Sequence, residues 1–76
     1  MSTRVEVVGI LAGYVKAGVP LQGAHLVGSS LQKLIEQIGV PTDLVAIVMV
    51  NGVKRDKTYV LQVDDVVKLI PFVGGG

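Results

Sequence analysis

Val67-Lys68-Leu69-Ile70-Pro71-Phe72-Val73-Gly74-Gly75-Gly76 closes the sequence and changes character twice in a short distance. Together with Val66, the run to Ile70 is apolar and largely β-branched, with Lys68 as its one charge, which predicts a strand. Val67 and Leu69 alternate onto one face, and Val66, Lys68 and Ile70 onto the other. Pro71 has no amide hydrogen to give a ladder, so regular pairing is expected to end there. Phe72 and Val73 follow, then three glycines, which have no side chain for a core and lose the most backbone freedom when ordered. A core strand running straight into such residues predicts a flexible tail, 72–76, whose terminal carboxylate on Gly76 is the working group.

Upstream of that strand, Leu44 to Val50 is an apolar run followed by Asn51-Gly52, the strongest short hairpin signal. The run predicts a strand buried on much of both faces. The return arm, Val53 to Lys57, is polar and is expected at an edge or in a loop. Tyr59 to Leu61 is a short apolar segment, and Gln62 to Asp65 a polar turn. Further back, Leu31, Leu34, Ile35 and Ile38 fall on one face at helical spacing. Ser29 is placed to cap this helix with Gln32 completing a capping box, while Gly39 and Pro41 end it. Arg4-Val5-Glu6-Val7-Val8 alternates and reads as a first strand, with Val5 and Val7 inward. Between Gly9 and Gly28 glycines punctuate the chain. Leu11 to Lys16 reads as a helical turn or a hairpin arm, and Leu21 to Val27 as a second strand broken at Gly23.

The order of elements predicts an α+β arrangement, one helix on one face of a mixed sheet of four to five strands. Leu31, Leu34, Ile35 and Ile38 are expected to pack on Val5, Val7, Ile47, Val67 and Leu69, with the first and last strands parallel neighbours. One helix covers one sheet face. The other face then presents Val66 and Ile70, with alternate residues from Val48 or Val50, as a partner surface.

Composition narrows the function. At 76 residues the chain is read as a single domain, 1–76. A net charge of +1 provides no basic field for nucleic acid. The absence of cysteine removes disulfides, thiolate metal sites and a thiol nucleophile. The longest apolar run is too short to span a bilayer and the first residues lack a signal-peptide layout, so a cytoplasmic location is expected. His25 stands alone and has no second histidine for a metal site. Lys54, Arg55 and Lys57 read as a solvated loop or as a dock for an acidic partner. No catalytic dyad or triad is present, and the glycines at 9, 13 and 18 do not match a dinucleotide fingerprint.

The element order, the Asn51-Gly52 turn and the ending Asp65-Val66-Val67-Lys68-Leu69-Ile70-Pro71-Phe72-Val73-Gly74-Gly75-Gly76 together resemble the ubiquitin-like β-grasp sulfur carriers of the ThiS/MoaD family. The likeness is closest from the helix to the end. The family's terminal Gly-Gly maps onto Gly75 and Gly76. Its Gly-Asp turn before the last strand is Asp64-Asp65 here, so the aspartate matches and the glycine does not. Ile70-Pro71 looks like the molybdopterin branch, and Phe72-Val73-Gly74-Gly75-Gly76 more like the thiamin branch, which leaves the pathway open.

The resemblance implies a carrier, not an enzyme, with no bound cofactor. An adenylating protein like the ubiquitin-activating enzymes uses ATP to convert the Gly76 carboxylate to an acyl-adenylate. A sulfur donor displaces AMP to leave a thiocarboxylate, and a synthase subunit accepts the sulfur. Gly74 and Gly75 form the threading tail, and Phe72, Val73, Ile70 and Val66 are the expected partner contacts. The alternatives are a ubiquitin-like modifier joined through Gly76 to lysines, and an interaction domain with an inert end.

Overall fold

The computed structural model describes residues 3–72. Among them four strands form, β1 (Arg4–Val7), β2 (Val45–Val50), β3 (Val53–Arg55) and β4 (Val66–Pro71), with one α-helix, α1 (Leu31–Ile38), between β1 and β2. They make one mixed sheet in the order β1-β4-β2-β3. β1 runs parallel to β4, while β2 is antiparallel to both β4 and β3. A parallel pair needs a long crossover, and the chain between β1 and β4 carries α1 across one face. This is the expected β-grasp arrangement.

The apolar stripe of α1 sets the core. Leu31, Leu34 and Ile35 have no exposed surface, and Ile38 has 1%. Below them lie Val5, Val48, Val50, Val67 and Leu69, all buried, with Val7 packed partly buried at the margin. The helix closes at Gly39 with φ +95°, as expected of a glycine past a last turn. Its start differs from the expectation. Ser30 is the cap, its Oγ accepting the Lys33 amide at 3.1 Å. The Ser29 carbonyl instead accepts the Leu61 amide, and Ser30 bridges Val60, so pairing with the 59–61 segment keeps the backbone extended one residue longer. Gln32 donates forward to Glu36 at 2.7 Å and takes no part in a capping box.

Three further expectations are corrected. Ile47 does not join the helix core. With Val48 and Val50 facing the core, alternation puts Ile47 with Met49 on the open face opposite Ile70, and the register shift between Val45 and Ile47 is a bulge that returns Val45 to the buried side. Val48 and Val50 pair with Leu69 and Val67 and line the core, not the open face. The ladder also continues through Pro71, which pairs with Val45 across the bulge, a place where a missing amide is tolerated.

No strand forms over Leu21–Val27. Gly9–Tyr14 and Ala24–Leu26 are 3₁₀ turns, the first taking the helical-turn option, and Leu11 and Leu26 drop from them into the core. Leu21 to Gly23 lies along the outer side of β1, with Val5 donating to Leu21 and Gly23 to Thr3 at 2.8 and 2.9 Å. Gly23 then breaks extension at φ +138°. The segment covers a sheet edge that would otherwise expose unpaired amides and carbonyls. Asn51 and Gly52 form the expected two-residue turn, both with positive φ, and the return arm β3 is exposed at the opposite edge.

Candidate functional site

The face of β4 turned away from α1 carries Val66, Lys68 and Ile70. Register brings Arg4 and Glu6 of β1 beside Val66 and Lys68, and Ile47 and Met49 of β2 beside Ile70 and Lys68. Lys54 of β3 follows beside Met49. Met49, Val66 and Ile70 line an open hollow of about 480 Å³ together with Glu6, Lys68 and the Asn51–Gly52 turn. Val66 and Ile70 are half-buried by neighbours on this face. Arg4 and Glu6 form an ion pair at 3.3 Å with both side chains about half exposed, so it adds little stability. The hollow thus offers an apolar floor among exposed charged side chains, a surface suited to a protein partner.

At the C-terminal end of β4 the chain leaves the sheet through Phe72, which is 67% exposed and does not fold back on the sheet edge. Val73, Gly74, Gly75 and Gly76 lie outside the described residues. The strand that delivers them is hydrogen-bonded on both sides, to β1 and to β2.

The opposite end of β4 is fixed by a polar knot. Asp65 is 5% exposed. Its Oδ2 accepts the Tyr59 hydroxyl at 2.7 Å and the Gln62 amide at 2.9 Å, and its Oδ1 accepts Asn51 Nδ2 at 2.8 Å. Asn51 Oδ1 in turn accepts the Val66 amide at 2.9 Å, so hairpin, turn and β4 are tied at one point. Burial pushes the Asp65 carboxyl up. The hydrogen bonds from Gln62, Tyr59 and Asn51, with the charge of Arg55, outweigh it and hold the group below the ordinary aspartate value. The same bond to Asp65, with burial, raises the Tyr59 hydroxyl. Asp64 takes φ +66°, the left-handed conformation that the glycine of a Gly-Asp turn adopts freely. Asp64 thus occupies a left-handed position that would suit the glycine it replaces.

Of the expected contacts, Val66 and Ile70 are brought together on the open face, and Phe72 stands apart at the strand end. Reading the sequence missed Met49 and Ile47 as their neighbours. The two-residue turn held the signal for Met49, since it fixes Val50 opposite Val53 and so sets the alternation along β2. The basic cluster is partly engaged within the chain. Lys57 donates to the Thr42 carbonyl at 2.6 Å, and Arg55 lies 5.0 Å from the Tyr59 ring centroid. His25 is exposed, with its Nε2 3.3 Å from the Pro20 carbonyl oxygen. Among the described residues no cluster of metal-binding side chains occurs, and no helix is long and apolar enough to cross a membrane.

Comparison with curated proteins and with solved structures gave no match. A family model does match, the ThiS family, over residues 21–76. The match takes in α1, the β2–β3 hairpin, β4 and the glycines beyond it, and only the first strand and the turn after it precede it. The chain belongs to the ThiS family, whose members are small sulfur carriers.

Proposed function

We propose that Gly76 bears the reacting carboxylate of this carrier. A partner adenylating enzyme joins it to the AMP of ATP with loss of pyrophosphate. A sulfur nucleophile then attacks the carbonyl carbon, expels AMP and leaves a thiocarboxylate for a synthase subunit to use. A free carboxylate is a poor electrophile, which is why the mixed anhydride must come first. Glycine suits both steps, because without a Cβ the carbonyl is sterically open and the terminus fits a narrow channel. ATP is the partner's substrate, and the carrier supplies a handle. Val66 and Ile70 on the open face, with Phe72 and Val73 at the root of the tail, dock the partner.

The observation that carries this reading is the family match running through position 76, past a strand held on both sides. The test is intact-protein mass spectrometry after incubation with ATP, the adenylating enzyme of the same organism and a sulfide source. A sulfur-for-oxygen gain on the terminal peptide is expected, and none once an alanine is added after Gly76. Equal conversion of the extended protein would show that the carboxylate's position is immaterial and would end this reading. Branched conjugates to lysine would instead identify a modifier.

A further inference from the structure

The turn after β1 carries a feature that folding does not explain. From Val7 to Val15 the chain has no charged residue, and from Leu69 to Gly76 it has none either. These two stretches meet. Val8 donates its amide to the Leu69 carbonyl at 3.0 Å, and a Cβ built on Gly9 would stand 3.8 Å from Cγ of Pro71. The turn is held firmly, since Leu11 is fully buried and the Lys16 amide donates to the Ile38 carbonyl at 2.8 Å. Yet Ile10, one residue from that contact, is 72% exposed, and Val8 is 37% exposed. An apolar side chain held in water next to the glycine that meets Pro71, the residue before the exposed Phe72, contributes nothing to this core.

Reach decides what covers it. Resting on the reading that Gly76 reacts, four residues beyond Phe72 span at most about 14 Å, so the partner's nucleotide must lie within that distance of Phe72. The partner's surface around its channel must therefore close on whatever surrounds Phe72. We propose that Ile10 and Val8 form with Phe72 an apolar collar that seats on an uncharged, apolar rim around the adenylating partner's channel. Ile10 is thereby a determinant of which enzyme accepts this carrier.

Pyrophosphate-exchange kinetics with the adenylating enzyme of the same organism, at varied carrier concentration, test the collar. Ile10→Asp should raise KM for the carrier about tenfold or more, the effect of losing an apolar anchor. Its kcat should stay within about twofold, because the terminus itself is unchanged. Ile10→Ala should raise KM in the same direction by less. Val63→Asp is the control: Val63 is 70% exposed but lies before the start of β4, and KM should not move. Thermal melts should match the wild type for all three, since none alters a buried side chain. Wild-type KM for Ile10→Asp, or an equal rise for Val63→Asp, overturns the collar and leaves Gly76 chemistry standing. A wild-type protein that is never adenylated removes the Gly76 reading, and the collar with it.

Discussion

Along β4 and the residue before it, Asp65, Val67 and Leu69 differ from Val66, Lys68 and Ile70 only by parity, yet the two rows meet different surroundings. The first row, continued back to Asp65 in the turn, is 5%, 0% and 0% exposed and finds every contact inside the chain. The second faces an open hollow, and no other element of the described residues covers it. One row serves stability, and the other is the row proposed above as the docking face. The difference teaches that in so small a domain the two demands are separated by a single residue step, because successive side chains point to opposite sides.

Adjacent substitutions give the largest test of that separation. Leu69→Ala should cost about 2–5 kcal/mol in urea unfolding, from lost transfer energy and the cavity left behind. Ile70→Ala, one residue on, should cost about 1 kcal/mol or less, since a half-buried side chain surrenders only part of its burial energy. Equal costs would break the comparison.

Asp65 sharpens it, being the polar member of the buried row. Asp65→Asn should cost about 1–3 kcal/mol at neutral pH, because Asn can accept through only one of the two carboxylate oxygens and leaves a buried donor short. The folded protein holds this carboxyl below its ordinary value of 3.8, so its contribution is complete above pH 3.8 and is lost as pH falls through the lower, folded value. The gap between wild type and Asp65→Asn, followed by urea titration from pH 7 downward, should therefore narrow only below pH 3.8. A gap that narrows already in mild acid would contradict a depressed Asp65.

Asp64 gives the smallest effect. It lies before both rows and spends its backbone on a left-handed turn. Asp64→Gly should shift stability by less than about 1 kcal/mol, relief of φ strain opposing added freedom in the unfolded chain. Asp64→Val should cost about 1–2 kcal/mol, as a β-branched residue tolerates that φ poorly. Thermal melts of the two would rank them.

Where a strong local signal and tertiary contacts agreed, the sequence was enough. The 3.6-residue spacing of Leu31, Leu34, Ile35 and Ile38 located the helix, Asn51-Gly52 located the hairpin, and the β-branched run into Pro71 located β4. Ser29 and Ser30 were indistinguishable as caps, because the choice rests on pairing with Val60, thirty residues away in sequence. Residues 9–28 were illegible for another reason. Short 3₁₀ turns have neither strand nor helix periodicity, and their position is set by single plugs, Leu11 and Leu26. Ile47 follows from the same alternation as Met49, while the bulge that returns Val45 to the core has no residue signature of its own. For the site, Val66 and Ile70 followed from parity, while Ile10 emerged only when the fold brought its turn beside Pro71.

The position of β4 also has a mechanical consequence. Any pull that a partner exerts on the tail enters the domain at Phe72 and runs along β4. That strand lies between β1 and β2, and the antiparallel ladder to β2 has hydrogen bonds perpendicular to the strand axis. An axial load therefore shears many bonds together instead of peeling them one at a time, as it would at the outer strand β3. The end proposed to be handed to other proteins is rooted where traction is least able to unravel its owner.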